Sequence, residues 1–255
     1  MNSIKAILID IGGVLYVGDK PIDGAIEAID SLKKRYKIKL LTNTTQRTSK
    51  DIFNKLKTMG FNIDKDEILT ALDVTKMFLL NNRANATLLL TDSAKEFFSD
   101  IPSNYPKKYV VVGDAQDNFT YKHLNSAFRD LLEGMELIAI AKNRYFKDSD
   151  NKLSMDAGCF VKALEYASGK MAKIIGKPSK DFFHLACKSL NVKPSQAVMI
   201  GDDIESDIKG AKDANLRAFL VKSGKYNPSD LEKGIKPDKV LESIASMKET
   251  NFSFF

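Results

Sequence analysis

The sequence predicts an α/β fold in which a parallel-sheet core is interrupted by a second, inserted α/β unit. Three observations carry this expectation. Short apolar runs each stop at a polar or acidic residue, amphipathic stretches alternate with them, and 134 positions separate Asn43 from Lys177, more than any single crossover uses. Unbroken runs of Val, Ile, Leu and Ala are the pattern of strands buried on both faces. Their alternation with helical stretches makes βαβ units.

Residues 6–9 are the first such run, ahead of Asp10. Residues 25–32 form an amphipathic stretch, residues 38–41 a second strand before Thr42 and Asn43, and residues 51–56 a helix that stops at Met59 and Gly60. Glycine suits the left-handed position after a helix. Strands are expected at residues 87–90, 109–112 and 137–140, with a helix over 121–132, so the long gap has an α/β pattern of its own. Lys173-Ile174-Ile175-Gly176 reads as a strand leading to Lys177 at the reactive edge. Residues 182–190 follow as a helical crossover, and residues 197–200 as a strand ending at Gly201-Asp202-Asp203. The polar segments Asn81-Asn82-Arg83 and Ser168-Gly169-Lys170 are the expected linkers, which places the core at residues 1–82 and 172–255 and the inserted unit at 83–171.

Composition narrows the function classes. The chain has 255 residues, 39 Lys plus Arg against 33 Asp plus Glu, and a formal charge of +6, which suits an anionic or phosphorylated partner without requiring one. Its basic clusters, Lys33-Lys34-Arg35 and Lys107-Lys108, have no interleaved aromatic platforms, so no nucleic-acid partner is expected. Two His exclude a histidine-rich metal site, and Cys159 and Cys187, outside any CxxC pair, exclude a thiolate zinc site or a disulfide framework. Four apolar residues before Asp10 are too few for a signal peptide, and no run reaches the roughly 20 apolar residues of a membrane span. A cytoplasmic protein without a membrane partner is expected.

In open α/β sheets, ligands bind outside the carboxyl ends of the strands. Those ends here carry Asp10, Thr42, Asn43, Lys177, Asp202 and Asp203. Taken alone, each has a plainer use: a strand-end Asp as a turn or cap residue, Thr42-Asn43-Thr44-Thr45 as a helix start, the acidic turn after Gly201 as a solvated cap. Together, Asp10-Ile11-Gly12-Gly13-Val14-Leu15, Leu41-Thr42-Asn43-Thr44-Thr45, Gly176-Lys177-Pro178 and Gly201-Asp202-Asp203-Ile204-Glu205-Ser206-Asp207 resemble, in order and spacing, the haloacid dehalogenase superfamily. The resemblance covers essentially the whole chain and implies a Rossmann-like parallel-sheet core with an inserted α/β cap domain.

It also implies a Mg²⁺-dependent phosphohydrolase. In that reading Asp10 is the nucleophile that takes the phosphoryl group as an aspartyl-phosphate. Lys177 offsets charge, and Thr42 and Asn43 meet the phosphate. The cation is held by Asp10, the backbone carbonyl of Gly12 and Asp202, with Asp203 and Asp207 behind them. The partner is a small phosphorylated substrate, chosen by the cap, and dimerisation through the cap follows from the same resemblance. Cap residues considered for substrate contact are Lys142, Arg144, Tyr145 and Asp156, each of which has a packing or solvated role as its plainer alternative.

One position departs from the pattern. Most phosphatases of the superfamily have a second Asp two positions after the nucleophile, as general acid and base, and here that position is Gly12. General acid catalysis contributes typically ~10²–10⁴-fold and matters most for poor leaving groups. Phosphoanhydrides, phosphoramidates or aryl phosphates are therefore the expected substrates. The rival expectation is a catalytically weak, phosphatase-like binding or regulatory protein. Carbon–halogen hydrolysis would leave the Asp202, Asp203 and Asp207 cluster without a purpose. The closing Asn251-Phe252-Ser253-Phe254-Phe255 places three aromatics in four residues, a cluster for core packing or a subunit contact.

Overall fold

The computed structural model describes residues 3–147 and 152–248, and the aromatic tail lies outside the described residues. In chain order the strands are β1 (Ala6–Asp10), β2 (Tyr16–Val17), β3 (Lys20–Pro21), β4 (Lys37–Thr42), β5 (Ile68–Thr70), β6 (Ala84–Leu89) and β7 (Lys107–Val112). Then come β8 (Glu136–Ala139), β9 (Tyr145–Lys147), β10 (Leu153–Met155), β11 (Lys173–Ile174), β12 (Ala197–Gly201), β13 (Arg217–Val221) and β14 (Lys239–Leu241). The chain divides into two compact units. One comprises Met1–Thr42, Ser49–Leu69 and Lys177–Phe255, the other Asn43–Thr48 and Thr70–Gly176.

The first unit is built on a six-stranded sheet in the order β14-β13-β12-β1-β4-β5. β1 runs parallel to both β12 and β4, which explains its five buried residues in a row: a central parallel strand has no solvent face. Alternate side chains leave on opposite faces. Ile7, Ile9, Ile38, Leu40, Val198 and Ile200 share one core cluster with Ile29 and Leu32 of helix α1 (Ala25–Lys33) and Ile52 and Leu56 of helix α2 (Ser49–Thr58). Leu8, Met199 and Leu220, from the other face, are fully buried as well. The register pairs Ile9 with Ile200 and Asp10 with Leu41, so the carboxyl ends of β12, β1 and β4 finish level with one another. That alignment brings Asp10, Thr42 and Asp202 to one edge.

The second unit has its own four-stranded sheet, β11-β8-β7-β6, whose strands pair in parallel. Helix α3 (Ala71–Asn81) precedes β6, helix α4 (Asp92–Glu96) follows it, helix α5 (Tyr121–Leu132) joins β7 to β8, and helix α6 (Ala157–Ser168) follows the antiparallel hairpin β9–β10. Leu89, Val110 and Val112 pack with Ala127, Leu131, Val161 and Leu164 in a separate core. The segment Asn43–Thr48 joins this unit too: Asp114 donates its backbone N–H to Thr45 Oγ1 at 2.8 Å and accepts from Gln46 Nε2 through its carboxylate.

Two expectations are corrected here. β11 pairs with β8, with Ile174 opposite Ala139, so Lys173 and Ile174 belong to the inserted unit's sheet and Lys177 is not the end of a core strand. Both sheets are parallel, and nothing in a short apolar run says which one it will join. The segments expected as linkers are helix ends instead. Asn82 caps α3 with Arg83 in the left-handed region (φ 46°), and Gly169 (φ 70°) caps α6. The second compact unit comprises Asn43–Thr48 and Thr70–Gly176, where 83–171 was expected for the insertion. No helix of the described residues is long and apolar enough to cross a membrane, and Cys159 and Cys187 are both free.

Candidate active site

Asp10 closes β1, and its carboxylate Oδ1 accepts from Lys177 Nζ at 2.7 Å. The same ammonium donates to Asp207 Oδ1 at 2.5 Å. Helix α7 (Lys180–Ser189) begins three residues after Lys177 and buries Phe182, Phe183 and Ala186, which anchors that segment in the first unit. Asp202 follows the end of β12, and one carboxylate oxygen each from Asp10, Asp202 and Asp207 lies within 4.8 Å of the others.

Asp202 is held in a slot between two glycine loops. Its Oδ2 accepts from the backbone N–H of Lys225 at 2.7 Å. Gly13 (φ 80°) and Gly224 (φ 69°) both occupy the left-handed region, and a Cβ on either would fall on Asp202 Oδ2. Only glycine satisfies both the backbone angle and the contact. Gly13→Ala is expected to lower stability by roughly 1–2 kcal/mol from the backbone conformation alone. It should also weaken divalent-cation binding, because the methyl displaces Asp202. Denaturant midpoints and calorimetric titration of Mg²⁺ check the two effects separately.

Asp203 has a different use. Its Oδ1 accepts from the backbone N–H groups of Glu205 and Ser206 at 3.0 and 2.9 Å, capping the π-helical turn Ile204–Lys209. That turn points Asp207 back at the strand end, where its Oδ2 accepts from the Asp203 N–H at 3.2 Å. Asp207, expected behind the ligand set, thus stands in the carboxylate cluster itself, while Asp203 stabilises the turn. Thr42 is buried at the end of β4. Gly12 is exposed in the loop after β1, and a Cβ there would have nothing within 4 Å. Asn43, next to Thr42 in the chain, is assigned to the second unit.

Three carboxylates around one ammonium leave an excess of negative charge, and the titration behaviour reflects it. Burial pushes the Asp202 carboxyl well above the usual range, and Asp10 and Asp207 push it further. Burial likewise raises Asp207, to about 7, against the pull of Lys177. Burial disfavours the Lys177 ammonium, yet Asp10 and Asp207 outweigh it and hold the group protonated. Asp202 Oδ1 is buried with no hydrogen-bond partner. An orphaned carboxylate oxygen facing two further carboxylates fits a hard divalent cation, which takes oxygen ligands.

Lys225 escaped the sequence reading. It follows Ser223 and Gly224, just past β13, the strand that neighbours β12 in the sheet. Of the residues considered for substrate contact in the inserted unit, Lys142 is tied to buried Glu165 at 2.6 Å, Asp156 caps α6, and Arg144 lies over the Tyr145 ring at 5.8 Å.

A parallel α/β core with carboxylates clustered at its sheet edge, two of them paired to a buried lysine, is a Rossmann-like fold with a site suited to a cation and an anionic ligand. Comparison with known proteins makes this specific. The family model "Haloacid dehalogenase-like hydrolase" matches residues 7–105, and a HAD-hydrolase-like model matches residues 174–247. Haloacid dehalogenase-like hydrolase domain-containing protein 2 of Homo sapiens is 41% identical over 241 residues, 94% of this chain and 92% of that one. Phospholysine phosphohistidine inorganic pyrophosphate phosphatase of Homo sapiens is 36% identical over 253 residues, 96% and 93% of the two chains. The crystal structure of a 4-nitrophenylphosphatase from Thermotoga maritima superposes with a TM-score of 0.87 at 26% identity, covering 97% of each chain. The chain belongs to the haloacid dehalogenase-like hydrolases and is an enzyme of their phosphatase group.

Proposed function

We propose that this enzyme is a Mg²⁺-dependent phosphohydrolase that works through an aspartyl-phosphate on Asp10. The observation that carries the assignment of the nucleophile is accessibility. The Asp10 side chain is 12% exposed, whereas Asp207 is fully buried and Asp202 is 1% exposed. Of the three clustered carboxylates, Asp10 is the one a substrate can reach. Asp10, Asp202 and the carbonyl of Gly12 would hold the cation, which supplies positive charge against the phosphate dianion when bound.

The chain's own residues do the rest. Lys177, fixed by Asp10 and Asp207, holds the Asp10 carboxylate in one orientation and offsets the charge of the incoming phosphoryl oxygens. The Thr42 hydroxyl and Asn43 meet those oxygens. An Asp10 oxygen forms a bond to phosphorus, the bond to the leaving group breaks, and the electron pair departs with that group. Water then hydrolyses the acyl phosphate, releasing phosphate and restoring Asp10.

No side chain at Gly12 can give the leaving group a proton, so the substrates proposed are small phosphoanhydrides, phosphoramidates or aryl phosphates. Two relatives are named for such substrates, an inorganic pyrophosphate phosphatase and a 4-nitrophenylphosphatase. Phosphate release with Mg²⁺ across pyrophosphate, phosphoramidates, aryl phosphates, nucleotides and sugar phosphates tests this. Fastest turnover of the sugar phosphates would sink it. Vanadate binding without turnover of any substrate would instead favour the binding-protein reading that Gly12 raises. Because the space at Gly12 is open, Gly12→Asp is expected to fold, and to raise turnover of alkyl phosphates by at least about tenfold, measured as kcat on a simple alkyl phosphate.

A further inference from the structure

We propose that the Lys225 ammonium receives the negative charge of the departing group, and so selects substrates whose leaving group is itself a phosphate. The inference rests on the phosphohydrolase reading above and names the substrate class within it.

The two lysines at the site are placed differently. Lys177 is 3% exposed and forms two short ion pairs, to Asp10 and Asp207, so its charge is committed at the floor beside the nucleophile. Lys225 is 39% exposed, and its ion pair with Asp203 is long at 3.8 Å, so its charge is free to meet an incoming anion. The loop is anchored: the Lys225 backbone N–H holds Asp202 Oδ2, and a Cβ on Gly224 would stand 2.6 Å from Gly13 Cα. The backbone that carries Lys225 is therefore fixed beside the loop of Gly12 and Gly13, next to the position where the proton donor is missing.

Displacement at phosphorus is in line, with the leaving group opposite the nucleophile. Since Asp10 approaches from the buried edge, the leaving group departs toward the accessible side of the site, and Lys225 is the more exposed of the two lysines. A leaving oxygen can be stabilised by a proton or by a fixed cation. Gly12 offers no proton and Lys225 offers the cation. The electron pair of the broken bridging bond stays on the departing phosphate, which leaves as the hydrogenphosphate dianion when the outgoing phosphoryl group carries its own proton, so that Gly12 need not supply one. A phenolate carries one delocalised charge and gains less from the same ammonium.

Lys225→Met should lower kcat/KM for pyrophosphate by about 10²-fold, and for 4-nitrophenyl phosphate by about tenfold less, with Lys225→Arg recovering most of the pyrophosphate activity. Equal losses on both substrates, or no loss on pyrophosphate, would overturn the proposal. A second measurement does not depend on turnover. In the Asp10→Asn background with Mg²⁺, Lys225→Met should weaken pyrophosphate binding at least about fivefold more than it weakens orthophosphate binding. Parallel weakening would overturn the role of Lys225. If the parent enzyme hydrolyses neither compound, the phosphohydrolase reading fails while the binding comparison still decides the lysine's preference.

Discussion

Asp10→Asn is expected to reduce Mg²⁺-dependent phosphate release by at least about 10³-fold, as removal of a covalent nucleophile does. The amide is close to isosteric with the carboxylate and keeps an oxygen that can accept from Lys177, whose second partner, Asp207, is untouched. The fold should therefore survive, with an unchanged far-ultraviolet circular dichroism spectrum. A subtler effect accompanies the loss of activity. Without a divalent cation, three carboxylates crowd one ammonium, so removing one charge relieves repulsion in the metal-free protein and removes a ligand from the loaded one. The rise in melting temperature on adding Mg²⁺ should shrink in the variant. Full residual activity would assign the chemistry elsewhere.

The elements that position this chemistry were legible because buried parallel strands are continuous apolar runs. Residues 6–9 and 197–200 announce β1 and β12 without help from context, and the helix expected over 121–132 matches Tyr121–Leu132. Asp10 and Asp202 were visible for the same reason: each interrupts such a run at its carboxyl end. What stayed hidden depends on distant partners. Lys173 and Ile174 form a strand in either sheet equally well, and only pairing with Ile138 and Ala139 decides. Asp203 and Asp207 are chemically identical and four positions apart. Their division of labour comes from a turn in which Asp203 caps two backbone N–H groups and swings Asp207 toward Lys177. Lys225 was hidden because its relation to Asp202 is made by a backbone N–H and two glycines, none of which has a side-chain signature.

Lys177→Met is expected to have the largest effect on stability. The ammonium is buried against Asp10 and Asp207, and methionine fills similar volume without charge, so packing changes little. Removing one member of a buried ion pair typically costs about 3–5 kcal/mol because the remaining charge is left uncompensated. Here three carboxylates are left together, and part of that cost will be met by protonation: Asp202 and Asp207, already raised by burial and by their acidic neighbours, take up protons more readily once the ammonium is gone. Divalent cation is the other compensation. A ligand that binds only the folded state at about 100 times its Kd stabilises by about 2.7 kcal/mol, so Mg²⁺ should recover much of the lost stability while leaving activity at least about 10²-fold down, since the charge beside the nucleophile is not restored. Denaturant midpoints of parent and variant in EDTA and in Mg²⁺ provide the check. No Mg²⁺ effect in either protein would mean that the cation does not bind at Asp10 and Asp202, and a variant as stable as the parent in EDTA would mean that Lys177 is not what balances the clustered carboxylates.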